Sequence, residues 1–135
     1  MAMQFDLVPM GTRVEDNSDG AAVDVSGSAS RTFLCTMLIT DQIEQESLDV
    51  SIFGSADGQT WQAKPILKLP QRFYRGETKA VLDLVYHPEV KFIRAHWDLN
   101  RWGRVAPEKM YVFGLRLAEV PAMPHAVPAE KLAAH

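Results

Sequence analysis

An all-β fold, specifically an antiparallel two-sheet sandwich of jelly-roll type, is predicted by three observations. Apolar side chains alternate with a period of two in several short runs, turn residues punctuate those runs at regular intervals, and no helical period persists for a useful length. The chain has 135 residues, of which 47% are hydrophobic, so it has the length of one ordinary domain and enough apolar side chains to bury a core. The expected division is a β-sandwich over residues 1–119, with residues 10–30 as a long loop or arm, and a Pro-rich tail over 120–135.

Taken in chain order, Met3–Val8 is a first, weaker strand candidate. Met10–Ser30 is rich in Gly, Ser, Asp and Asn, which suits a loop, with Ala21–Val25 as a minor strand inside it. Arg31–Thr40 is apolar on both faces: Phe33, Cys35, Met37 and Ile39 share one, Leu34 and Leu38 the other. That pattern fits a central strand, or one whose outer face is covered by a partner. Leu48, Val50 and Ile52 alternate with Asp49 and Ser51, and the tight-turn signal Ser55-Ala56-Asp57-Gly58 follows. After a weaker segment at Pro65–Leu69, Pro70 and Arg75-Gly76 break the chain. The next strand sets Ala80, Leu82, Leu84 and Tyr86 on one face and Asp83 on the other. His87-Pro88-Glu89 turns the chain into a run with Ile93, Ala95 and Trp97 inward and Arg94 and His96 outward. Gly103–Pro107 separates it from a last strand, with Tyr111, Phe113, Leu115 and Leu117 opposed by Gly114 and Arg116. Six to eight strands are expected. In the tail, Pro121, Pro124 and Pro128 favour extended chain, and Ala129–Ala134 suffices for one helical turn. The tail is either disordered or an arm docked on a neighbouring subunit through Val120, Met123, Val127 and Leu132.

Net charge is −3, but it is unevenly distributed along the chain. Residues 1–63 carry ten acids against Arg13 and Arg31, a balance of −8, whereas residues 64–135 carry twelve Lys or Arg against seven acids, a balance of +5. Such asymmetry favours an oriented association, including one between copies of the chain, unless the two halves interleave in space. Cys35 is the only cysteine and sits in an apolar run, so it reads as a small buried hydrophobe with no disulfide to make. The N-terminus lacks the basic and long apolar segments of a signal peptide, and no run approaches the roughly 20 residues of a membrane span, so a soluble cytoplasmic product is expected.

Catalytic signatures are missing. No Gly-x-Ser-x-Gly elbow or glycine-rich phosphate loop occurs, and neither an enzyme nor a cofactor is expected. The one candidate metal or acid–base cluster is His87, His96 and Asp98. His96 and Asp98 lie two apart on one strand face, but a metal needs a third ligand and His87 belongs to another segment. No metal site is expected. The candidate binding residues are cations beside aromatic rings: Arg72 and Arg75 around Phe73-Tyr74, and Arg94, Arg101, Trp102 and Arg104 in the run from Lys91. Arginine next to such rings supplies cation–π contact and forked donors for carboxylates, phosphates or sugar hydroxyls. Nucleic acid is not an expected partner, because the chain is acidic overall.

Three segments resemble the discoidin, or galactose-binding-like, β-sandwiches over residues 48–119. Val50–Trp61 is similar to that family's strand, Ser-x-Asp-Gly turn and following Trp; Val90–Ala95 to its aromatic-Ile-Arg strand; Leu115–Glu119 to its closing Leu-Arg-x-x-Glu strand. The resemblance implies a jelly-roll sandwich that binds sugars, lipids or proteins through loops at one end, without catalysis. The chain lacks the terminal cysteine pair of the extracellular members and an aromatic spike loop, which weakens the extracellular and lipid-binding implications. Two functions are therefore expected: a self-associating structural or accessory subunit, with copies of itself or other protein subunits as partners, or else a carbohydrate-binding module.

Overall fold

The alternating runs pair into two antiparallel sheets in a computed structural model that describes residues 2–43, 46–101 and 110–122, Arg101 by its backbone alone. The strands are β1 (Gln4–Val14), β2 (Ser18–Asp19), β3 (Val23–Asp24), β4 (Thr32–Gln42), β5 (Glu46–Ser55), β6 (Leu67–Lys68), β7 (Gly76–Asp83), β8 (Phe92–Arg101) and β9 (Tyr111–Glu119). One sheet has the order β1-β9-β4-β7; the other has β2-β8-β5-β6, with β3 also on β8. The chain changes sheet at most connections, and β2 with β3 fills the place of one strand. That is the winding of an eight-strand jelly roll. Among the described residues no helix is long and apolar enough to cross a membrane.

The core lies where the predicted inward faces meet. Phe33, Cys35, Met37 and Ile39 of β4, Leu48, Val50 and Ile52 of β5, Ile93, Ala95 and Trp97 of β8, and Tyr111, Phe113, Leu115 and Leu117 of β9 are all buried. Trp97 and Phe113 meet edge to face across the two sheets, with ring centroids 5.7 Å apart. β4 is a central strand, bonded to β9 on one side and β7 on the other. Burial pushes the Cys35 thiol up to about 12, so it stays protonated and unreactive at neutral pH.

Two sequence expectations change. The stretch 10–30 is not simply a loop. Met10–Val14 completes β1 and Ser18–Asp19 pairs with Trp97–His96 of β8, while Val23–Asp24, inside the expected minor strand Ala21–Val25, pairs with Ile93–Phe92. At the sheet edge, Asn17 Oδ1 accepts from the Leu99 amide at 2.8 Å and the Asp16 main-chain carbonyl accepts from Trp97 Nε1 at 3.1 Å, while Asp24 caps the turn at Ser26. Tyr86 does not share the inward face of β7. The strand stops at Asp83, whose carboxylate accepts from the Val85 amide, and His87 N closes a turn onto Leu84 O, which leaves Tyr86 68% exposed. The tail beyond Ala122, with its proposed arm, lies outside the described residues.

The charge asymmetry of the two halves also dissolves in space. β1 lies against β9, β4 against β7 and β5 against β8, so the acidic and basic halves interleave. Arg116–Asp6, Arg94–Asp19 and Arg75–Asp41 are ion pairs that join one half to the other.

Candidate functional site

Two central strands of the five-stranded sheet set the site. β5 and β8 run side by side in unbroken register from Glu46↔Arg101 to Ser55↔Phe92. Because Val50 and Trp97 point into the core, their neighbours along each strand point out. The outer face therefore carries Asp49, Ser51 and Phe53 from β5 beside Asp98, His96 and Arg94 from β8, each directly opposite its partner. Asn17 and Asp19 border the face on the β2 side. Pro65, Lys68 and Gln71 border it on the β6 side. Between these rims lies a cleft of about 580 Å³.

Its polar groups hold one another in place. Asp49 Oδ2 accepts from Gln71 Nε2 at 3.0 Å and from Asn100 Nδ2 at 3.4 Å. His96 meets Asp19 at 2.8 Å through Nδ1 and Asp98 at 3.2 Å through Nε2, and Phe53 packs against its ring at a centroid distance of 5.9 Å. Arg94 lies 4.3 Å over the Trp61 ring and reaches Asp19 at 3.6 Å. Like charges directly opposite on neighbouring strands repel. Asp49 and Asp98 form such a pair, and the amide donors and the imidazole beside them offset the repulsion.

The arrangement does not suit a metal. The carboxylates of Asp19 and Asp98 contact opposite edges of the His96 ring, so the three groups do not converge on one point. His87 instead lies 3.8 Å from Glu89. Among the described residues no group of three or more His, Cys, Asp or Glu side chains is arranged to hold a metal ion.

No family model matches the chain, and no curated protein matches it. The site thus stands on its own geometry.

Of the cationic residues singled out from the sequence, Arg94 belongs to this face. Arg72 exchanges both backbone hydrogen bonds with Leu48 at the sheet edge, and Arg75 pairs at 3.5 Å with Asp41, at the end of β4 in the other sheet. Arg72 and Arg75, neighbours in sequence, thus serve different sheets. The side chain of Arg101, and all of Trp102 and Arg104, lie outside the described residues. In the sequence Asp49 and Ser51 are only the polar side of a half-buried strand, and Asn17, Asp19, Phe53, Lys68, Gln71 and Asn100 are not marked as site residues. The signal was there in part: a polar stripe at every second position of two strands that also carry a full apolar stripe.

Proposed function

We propose that the protein is a non-catalytic binding module whose outer cleft, on the five-stranded sheet, takes a neutral glycan. The observation that carries this reading is the bonded set of planar polar side chains across β5 and β8. Carboxylate and amide groups fixed in this way accept from and donate to neighbouring hydroxyls of a sugar ring without first being ordered, which lowers the entropic cost of binding. Phe53 and Pro65 supply apolar surface for the C–H face of a pyranose. Asp19, Asp49 and Asp98 disfavour phosphate and uronate, so nucleic acid and acidic polysaccharides fit poorly. The resemblance to galactose-binding-like sandwiches points to the same ligand class.

A glycan array probed with the purified chain tests the reading. Retention on neutral oligosaccharides is expected. Asp49→Ala removes an acceptor that two neighbours orient, and a hydrogen bond to a charged group is worth about 1.5–3 kcal/mol, so affinity is expected to fall about 10- to 100-fold. Circular dichroism of the variant should match that of the parent. Retention only on sulfated or uronate glycans, or none at all, removes the proposal.

A further inference from the structure

We infer that two copies of this chain pair through the edge of β7 that no described strand covers, forming a continuous eight-stranded sheet centred on Val81. The inference is independent of what the cleft binds. Sheet edges are usually guarded by short strands, proline or bulges, because exposed backbone donors and acceptors invite another strand. Three of the edges among the described residues are guarded in these ways. β1 contains Pro9 and two register shifts against β9, and the opposite sheet ends in β2 and β3 on one side and β6 on the other, each of two residues. β7 is different. It is eight residues long, contains no proline, and pairs with β4 without a break from Thr32↔Asp83 to Ile39↔Gly76.

Its charged side chains, Glu77, Lys79 (3.8 Å from Glu77) and Asp83, deter a foreign strand, and their order selects a second copy. In antiparallel pairing about a two-fold axis, residues opposite one another must face the same side of the sheet, so the axis passes beside a single residue. Centring on Lys79 sets lysine against lysine, and centring on Ala80 sets Glu77 against Asp83. Centring on Val81 sets Lys79 against Asp83 at both ends. It also places Val81, 40% exposed, against its own copy. Val81 already lies beside Leu34, and Leu34 beside Ala118, on the outer face of this sheet. The pairing therefore joins two apolar rows, each Ala118–Leu34–Val81, into one that crosses six of the eight strands and ends at Gln4 of β1 on either side.

Sedimentation of the full chain and thiol crosslinking test this together. Mass is expected to rise from one chain to two between about 10 µM and 1 mM. Val81→Cys brings two thiols opposite one another in the dimer, close enough for a disulfide, while native Cys35 is buried and does not compete. Mild oxidation should convert Val81→Cys mostly to a covalent dimer and leave Glu77→Cys monomeric. Lys79→Glu, which sets two acids together at each end, should shift half-association to at least tenfold higher concentration. A chain that stays monomeric throughout this range overturns the proposal. So does a dimer in which Val81→Cys fails to crosslink, or in which Glu77→Cys crosslinks equally well.

Discussion

Gly114→Ala is expected to lower stability by about 3 kcal/mol or more, seen as a drop of roughly 10 °C or more in melting temperature. The position looks unremarkable in sequence, a glycine within the alternating strand β9. In the fold, β1 passes directly over it. A methyl group at Gly114 would lie 2.5 Å from Met10 Cα and 2.9 Å from Met10 N, and would also strike Met10 Sδ. The sulfur can swing away, but the backbone cannot move without dragging the strand. β1 reaches this close approach through a register shift: Val8 pairs with Leu115 and Thr12 with Phe113, so two extra residues arch over Gly114. Gly11, at φ 82°, supplies the left-handed turn that the arch needs. Gly27→Ala is the control, because a methyl group there meets nothing within 4 Å, and its effect should stay within about 0.5 kcal/mol. Thermal melts of the two variants check both statements.

Glu119→Ala is the second large effect, an expected loss of about 2–3 kcal/mol measured by urea unfolding at pH 7. This carboxylate ties together three distant parts of the chain. Oε1 accepts from the Met3 amide at 2.8 Å; Oε2 accepts from Ser28 Oγ at 2.8 Å, the Ser30 amide at 2.9 Å and Ser30 Oγ at 3.1 Å. Those donors, the Ser30 and Met3 amides foremost, hold its pKa down at about 2 against an ordinary value of 4.5. The sign follows directly. A folded-state pKa below the unfolded one contributes stability that is complete above about pH 5 and lost as pH falls toward 2. Asp24 and Asp57, held down chiefly by hydrogen bonds from Ser26 and from the Thr60 and Gln59 amides, act with the same sign. The informative quantity is thus the difference between wild type and Glu119→Gln. It should be largest near pH 7 and shrink toward zero by about pH 2, as the wild-type carboxyl takes up its proton.

The inward faces of this fold were legible because each uses the simplest code available. Ile93, Ala95 and Trp97, like Tyr111, Phe113, Leu115 and Leu117, alternate without interruption, and all are buried. Within residues 10–30 the minor strand at Ala21–Val25 was legible, but Met10–Val14 and Ser18–Asp19 were not, because composition there has two meanings. Asn, Asp, Ser and Gly make loops, as Asp24 does in capping the turn at Ser26, but Asn17 uses the same hydrogen-bonding capacity to bond a strand edge at the Leu99 amide. The site was only half legible. Alternation assigns Asp49 to the outside of one strand and Asp98 to the outside of another, yet nothing local says that these strands are neighbours. Their pairing is a long-range property, decided by winding and register. Adjacency in sequence misleads in the opposite sense, since Arg72 and Arg75 flank the same aromatic pair but are anchored to different sheets.

Amide chemical-shift mapping during titration with the neutral oligosaccharide most strongly retained on the array shows whether the outer cleft of the five-stranded sheet is where the ligand binds. The largest shifts are expected on Asp49–Phe53, Lys68–Gln71 and Arg94–Asn100, with β1, β7 and β9 nearly unmoved. Saturable shifts centred on the other sheet, or an unchanged spectrum at millimolar oligosaccharide, would contradict binding there.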